Sequence, residues 1–598
     1  MSPLEAENVN YLWTQLLFEE LRRQGMRRVV VCPGSRSSPL AIAAARTSGL
    51  DVTVVIDERC AGFVALGIAK ASGVPAAVVT TSGTAVANLM PAVVEASASE
   101  TPVLVLTADR PPELRDCGAN QTIRQAGMFG AFVRWSCDVG CPTPAVAPRF
   151  ALSLADEAWA RAMDTVRGPV HLNVPLREPL APTPDESLPQ IDDDLARWAE
   201  SDACWRRELA SSAECASQAE MRELVARLAG TRRGVVVCGA TDSTAAGALA
   251  KRLHWPLIAD ATAALAQSAA DGEHGTAGVP SLVVEACDVI LAACAASSSL
   301  RDALAPECVL RVGGPVSSKR VNQFVAEAPE VIVASQGQER FDDAHRAGLR
   351  ARTSIERLVD ALDLSRVGCE SDFARAWTRA SAAARGALDA WLSSAEFGEL
   401  TVAAETIRFA RARGPLIVGS SMPIRDVDAI AARGRGPTRV IANRGASGID
   451  GLVSTAVGVA LASDRPATLL LGDLALLHDL GGLAGVPAAP GPLHVIAINN
   501  DGGGIFHFLP IATNERAKEH FESLFGTAHG RTFEHAAAMF GLDYRAARTN
   551  EDLRESLSSL AHAARPALVE CVTDRHANVA AHRSMQAAVA AALAREFA

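Results

Sequence analysis

Residues 467–506 read ATLLLGDLALLHDLGGLAGVPAAPGPLHVIAINNDGGGIF, and their pattern decides the fold. ATLLL and LHVIAI are unbroken apolar runs; Gly472 and Asp473 close the first, Asn499 and Asn500 the second. A strand with one wet face alternates apolar and polar residues. Runs without alternation belong to strands buried on both faces, as in a parallel sheet covered by helices. In such sheets ligands sit beyond the carboxyl ends of the strands, so the residues that close these runs are the first candidates for chemistry.

The same pattern recurs on either side. In the first 180 residues RVVVCPG, VTVVID, AAVVTTSGT, PVLVLTADR and PVHLNVP alternate with Ala- and Leu-rich helical stretches. A second set reads as strands at GVVVCGA, PLIAD, DVILAAC, CVLRVGG and EVIVAS, and fades after residue 360. From Pro415 a third begins with PLIVGSS and TRVIANRG and closes with ALVECVTD. The Pro- and acid-rich PLAPTPDESLPQIDDD, residues 179–194, reads as an exposed linker. A polar stretch puts a second boundary at 362–375. The expectation is an α/β protein of three related, doubly wound parallel-sheet domains, 1–182, 196–362 and 376–598, although no repeat is visible at residue level.

Composition narrows the function. The chain has 598 residues, and 57 Lys plus Arg against 68 Asp plus Glu give a formal charge of −11. That balance argues against coating nucleic acid or anionic lipid, and 5% aromatic content argues against base-stacking platforms. No run reaches the ~18 to 20 apolar residues of a bilayer span, so no membrane insertion is expected. The opening MSPLEAENVNYLW lacks a basic segment followed by an apolar one, so the expected location is the cytoplasm. Of 13 cysteines only Cys137 and Cys141 are closely spaced, which reads as reduced, mostly buried thiols rather than a zinc site.

The hard chemistry starts at the two strand ends. Magnesium prefers oxygen ligands in an octahedron, and the Asp473 carboxylate, the Asn500 amide oxygen and a carbonyl of the glycine run, that of Gly502, are a suitable set. Each alone reads equally as a cap or a turn. Together, with GDL and NN separated by 24 residues, they resemble the thiamine diphosphate fingerprint. That cofactor also needs a carboxylate from another domain, against its aminopyrimidine ring. Asp57 and Glu58, at the end of VTVVID, are placed for it, with a helix N-cap as the plainer role. Other nucleotide sites fit poorly. GASGIDG is not GxGxxG, and GSRSSPL lacks the lysine of a P-loop.

A closer resemblance lies in CPGSRSSPL, DERCAGF, TTSGTAVANLMPAVVEA, LTADRPPELRDCGANQTIRQ, GSSMPIRD, NRGASGIDG, LLGDLALLHDL and NNDGGGIFHFLP. In that order they resemble the 2-succinyl-5-enolpyruvyl-6-hydroxy-3-cyclohexene-1-carboxylate synthases of menaquinone biosynthesis. The likeness is thinner in the middle, where RVGGPVSSKR carries it. Leu474, Cys60 and Asp501 are tolerable departures from the fingerprint.

The resemblance implies decarboxylation of 2-oxoglutarate on thiamine diphosphate, with magnesium or else manganese, and addition of the succinyl carbanion equivalent to isochorismate. Another thiamine-dependent 2-oxoacid decarboxylase or an acetolactate synthase is the alternative. The resemblance puts the catalytic carboxylate at Glu58 and the metal ligands at Asp473, Asn500 and Gly502. It puts cofactor contacts at Ser82, Gly83, Thr84, Ser420, Ser421, Ile449 and Gly472. It implies a dimer or tetramer with active sites at subunit interfaces. Both substrates are dicarboxylates, so an acidic protein must hold them with placed cations. Arg36, Arg110, Arg425 and Arg444 follow strands, and Lys319 with Arg320 mark the middle region. Ser35, Asn120, Gln121 and Ser421 are the implied polar companions, with Ile505 and Phe506 on the substrate side. His507 is left as an auxiliary proton carrier or a packed residue.

Overall fold

The apolar runs become the central strands of three parallel sheets in the computed structural model. It describes residues 2–185, 188–208, 216–241, 243–265, 282–337, 341–362, 371–411, 413–431, 439–563 and 565–598. Residues 186–187 of the expected linker and 363–370 of the expected second boundary lie outside them.

The first sheet contains β1 (Arg28–Val31), β2 (Asp51–Val54), β3 (Ala76–Thr80), β4 (Val103–Asp109), β5 (Trp135–Asp138) and β6 (Val170–Pro175), in the order β2-β1-β3-β4-β6-β5. The second contains β7 (Gly234–Cys238), β8 (Leu257–Ala259), β9 (Cys308–Val312), β10 (Glu330–Ala334) and β11 (Ala347–Ala351), ordered β11-β10-β9-β7-β8. The third holds β12 (Leu416–Val418), β13 (Val440–Ile441), β14 (Ala467–Gly472), β15 (Leu493–Asn499), β16 (Asp543–Ala547) and β17 (Ala567–Val572), ordered β13-β12-β14-β15-β17-β16. Numbered within each sheet, the first and third orders are identical, 2-1-3-4-6-5. The middle sheet follows the simpler 2-1-3-4-5. The fold is α/β with three doubly wound parallel sheets.

One expected strand is a helix. DVILAAC lies in helix Cys287–Cys294, whose buried Val289, Ile290, Ala293 and Cys294 share one helical face. A short apolar run does not separate the two periods by itself. Three strands had no apolar run to announce them: β5, β11 and β16. Each lies at a sheet edge and is partly solvated.

By contacts the chain forms two compact units. Unit 1 gathers Met1–Ser211, Asn443–Asp464 and His478–Gly491; unit 2 gathers Ser212–Ala442, Arg465–Leu477 and Pro492–Ala598. In unit 1 every residue of helix Leu452–Leu461 is buried, and it packs on helix Glu58–Ser72. The two backbones approach closely enough that a Cβ on Gly67 would fall 2.1 Å from the Thr455 carbonyl oxygen, and one on Gly458 2.1 Å from that of Val64. Only glycine fits there. No helix among the described residues is long and apolar enough to cross a membrane, and the cysteines among them are free thiols.

Candidate active site

In unit 1 the strand order reverses between β1 and β3, which opens a crevice at their carboxyl ends. After β1, Ser35 is exposed and Arg36 buried. Arg36 donates from Nη1 to the Leu176 carbonyl at 2.8 Å and lies 3.3 Å from the Glu178 carboxylate. After β3, Ser82 Oγ donates to the Gln121 carbonyl at 3.0 Å, and Gln121 Nε2 donates back to the Ser82 carbonyl at 2.9 Å. Gly83 N–H donates to Gln125 Oε1 at 3.1 Å. Ser82, Gly83 and Gln121 therefore form one clasp, with Thr84 opening the next helix and Asn120 exposed beside it. Arg110 follows β4, and its buried Nε has no partner among the described residues.

Gln125 was missed in the sequence. It is buried, and its Nε2 reaches the Ala108 carbonyl at 3.0 Å and Asn173 Oδ1 at 2.8 Å. Its one signal was its place at the end of the NQTIRQ run.

Beyond β2 the exposed Ile56 precedes the two acids. Asp57 takes the capping role: its carboxylate accepts from Arg59 N–H at 2.9 Å and Cys60 N–H at 3.3 Å. Glu58, first residue of the helix, is left half-buried, with Asn88 Nδ2 3.4 Å from its Oε2. Arg444 and Ile449 lie half-buried on the loop at 443–451. Glu95, itself buried, ties that loop down by accepting from Gly445 N–H at 3.1 Å and Ala446 N–H at 2.7 Å, with Lys70 Nζ at 3.0 Å.

Unit 2 repeats the arrangement between β12 and β14. Asp473, 2% exposed, follows Gly472 at the end of β14. Its Oδ2 accepts from Asn500 N–H at 3.1 Å and Gly502 N–H at 2.9 Å, and its Oδ1 from Leu474 N–H at 2.6 Å. His529, also missed in the sequence, stands 3.2 Å from Oδ2 through Nε2. Its Nδ1 accepts Arg531 N–H at 3.0 Å, so the ring proton is on Nε2 and is donated to Asp473. Burial pushes the Asp473 carboxyl up; the amides of Gly502 and Leu474, then His529, act against that.

Asn500 donates from Nδ2 to Glu399 Oε1 at 2.7 Å, while its Oδ1 is buried and has no partner among the described residues. A buried amide oxygen left unsatisfied costs about 1–3 kcal/mol, so its neighbourhood invites a ligand. Gly502 turns the chain at φ +134°, where a Cβ would fall 2.0 Å from the Gly526 carbonyl oxygen. Among the described residues no three His, Cys, Asp or Glu side chains form a metal-binding group. The donors at hand are one carboxylate, one amide oxygen and a turn carbonyl, a hard oxygen set suited to magnesium rather than zinc.

Around this centre Ser420 is buried and Ser421 adopts φ +74° at the start of helix Met422–Ile430. The exposed Arg425 folds back to the Ser421 carbonyl. Ile505 and Phe506 are half-buried in a short 3-10 turn, with the Phe506 ring 5.5 Å from that of Phe525. His507 is packed edge-on against Phe521 and His576. Burial, with cationic neighbours, pulls its pKa down. Lys319 is exposed, and Arg320 pairs with Asp288 at 2.5 Å. No hydrogen bond or ion pair among the described residues joins either to Asp473 or Asn500.

Three family descriptions match in chain order. They are "Thiamine pyrophosphate enzyme, N-terminal TPP binding domain" over residues 13–128, "Middle domain of thiamine pyrophosphate" over 190–418 and "Thiamine pyrophosphate enzyme, C-terminal TPP binding domain" over 427–571. The chain is 41% identical to a 2-succinyl-5-enolpyruvyl-6-hydroxy-3-cyclohexene-1-carboxylate synthase of Salinibacter ruber, over 98% of both chains. The synthase of Myxococcus xanthus is 42% identical over 98% of both, and that of Bacillus pumilus 37% identical over 95% of both. The chain belongs to this synthase family. Members of the family are thiamine diphosphate enzymes, and the matched N- and C-terminal binding domains carry the Ser82–Thr84 clasp and the Asp473–Asn500 centre respectively. Among solved structures, a benzoylformate decarboxylase from Polynucleobacter necessarius superposes with a TM-score of 0.69 at 15% identity, covering 94% of this chain and 98% of that one. At that identity the likeness supports the fold alone.

Proposed function

We propose that the chain decarboxylates 2-oxoglutarate and joins the succinyl fragment to isochorismate, as a thiamine diphosphate- and magnesium-dependent carboligase of menaquinone biosynthesis. The observation that carries this reading is likeness to one synthase branch along nearly the whole chain, the thinner middle region included. When bound, thiamine diphosphate supplies the nucleophilic carbon and the electron sink for the loss of carbon dioxide.

The chain's own residues do the rest. Asp473 through its carboxylate, Asn500 through Oδ1 and Gly502 through its carbonyl hold magnesium or manganese, and with it a diphosphate. The unsatisfied Oδ1 and the turn at Gly502 support that assignment. Gly472, Ser420 and Ser421 border the diphosphate side. Ser82, Gly83, Thr84 and Ile449 hold the rings, and Glu58 exchanges a hydrogen bond with the aminopyrimidine. Because Asp57 already caps the helix, the Glu58 carboxylate is available for this. Arg36, Arg110, Arg425, Arg444, Lys319 and Arg320 receive the substrate carboxylates, with Ser35, Asn120 and Gln121 as hydrogen-bonding companions. Ile505 and Phe506 keep water from the reacting carbon. The domains divide at 1–182, 196–362 and 376–598, and the chain works in the cytoplasm as a dimer or larger assembly.

Mass spectrometry of the products from 2-oxoglutarate and isochorismate, with thiamine diphosphate and magnesium, tests the reading. The expected product is the succinyl adduct of isochorismate, formed with release of one carbon dioxide, lost on chelation and restored by magnesium. Succinic semialdehyde alone would make the chain a simple decarboxylase, and pyruvate as the better donor would make it acetolactate-synthase-like.

A further inference from the structure

We infer that Glu399 fixes which end of the Asn500 side-chain amide faces the metal, and so acts as a positioning residue for the metal centre. The inference rests on the reading of Asn500 as a metal ligand. A primary amide is nearly symmetric in shape, but only its oxygen has lone pairs for a cation. A buried asparagine turned the wrong way round would present two N–H donors to magnesium.

Three observations determine the orientation. Glu399, the first residue of helix Glu399–Arg411, is 1% exposed, and its Oε1 lies 2.7 Å from Asn500 Nδ2. A carboxylate oxygen only accepts, so the NH2 end of the amide must face it. On the same side Gly504 makes room: a Cβ there would fall 2.5 Å from Nδ2. On the other side Asn500 Oδ1 is buried and has no partner among the described residues. The amide is thus held by its nitrogen and open at its oxygen.

A glutamine at 399 would differ in kind: rotated by half a turn it offers N–H instead, and Asn500 loses its fixed sense.

A double-variant cycle separates orientation from mere charge. The probe is Mn2+ binding, read from the free-ion paramagnetic resonance signal with the full-length protein and thiamine diphosphate present. Glu399→Gln is expected to weaken Mn2+ binding roughly ten- to a hundredfold, the range for a lost outer-shell partner. In an Asn500→Asp background either oxygen at 500 can serve as the ligand and orientation is irrelevant. There Glu399→Gln should cost nothing or restore affinity, because it removes a carboxylate–carboxylate contact. Equal losses in the two backgrounds would mean that Glu399 acts only through its charge, and no loss in the Asn500 background would mean that it does not orient the amide; either overturns the inference. Asn500→Ala is the control. If it leaves Mn2+ affinity unchanged, the metal-ligand reading itself fails; if it weakens binding while Glu399→Gln does not, only the positioning role fails. Melting curves without metal or cofactor, unchanged for Glu399→Gln, are expected alongside; a collapse of the fold is answered by repeating the cycle with Glu399→Asp, which keeps an acceptor and should retain most of the affinity.

Discussion

At Glu58 and Asp57 two adjacent carboxylates have different tasks because the helix has only one N-cap position. Asp57 occupies it, and Glu58→Gln should therefore leave the helix intact and cost turnover alone. A loss of about 10²- to 10⁴-fold in kcat is expected, with cofactor affinity by calorimetry near wild type; a near-wild-type rate would remove Glu58 from the chemistry. At Gly502 the obstacle is steric. Gly502→Ala would bring a methyl within 2.0 Å of the Gly526 carbonyl oxygen at φ +134°, so the turn must shift and take its bond to Asp473 and the adjoining Asn500 with it. Cofactor affinity in magnesium should fall by about tenfold or more, given ~1–3 kcal/mol for a residue forced into such backbone geometry. Asp473, Asn500 and Gly502 were legible in the sequence because they close apolar runs at a fixed spacing. Glu399, His529 and Gln125 were not, because each acts across the fold on a residue distant in the chain and leaves no local pattern.

Whether a strand was legible depended on its place in its sheet. Central strands such as β4 and β15 are buried throughout and read as apolar runs. The edge strands β5, β11 and β16 are only half covered, and WSCD, AGLRA and DYRAA carry no such run. A pH effect also arises between elements. In helix Val9–Gln24, Glu20 is fully buried and accepts from Trp198 Nε1 and from Trp205 N–H, both at 2.8 Å, which docks the segment after the linker. Burial, then the adjacent Asp156, push Glu20 up to about 8 from an ordinary value of 4.5. The folded state thus holds a proton that the unfolded chain releases near 4.5. The matching stability is fully present below that pH and is lost as pH rises through about 8. The thermal midpoint should fall across this window, and Glu20→Gln should remove part of the slope. A slope unchanged in the variant would assign it to other groups.

For the whole molecule the question is how many chains make one working site. Val54 is 64% and Ile56 86% exposed immediately before Glu58, an apolar pair that self-association would cover. If Glu58 of one subunit serves Asp473 of the partner subunit, Glu58→Gln and Asp473→Asn chains, each inactive alone, should recover activity when dissociated and mixed. Random pairing of equal amounts makes half the dimers mixed, each with one intact site of two, so about a quarter of wild-type activity should return. No recovery, with mixed dimers shown to form, would put both residues of a site on one chain. Helix Leu452–Leu461 carries a different consequence, one of timing. The ribosome releases β1 to β6 long before it makes the helix that covers Gly67, and all of residues 212–442 come between. The nascent N-terminal sheet must therefore wait with an unsealed apolar flank, and a fragment ending at Ser211 would lack the segment that seals it. In synthesis order, the first unit to begin folding depends for its completion on a helix made only after residues 212–442.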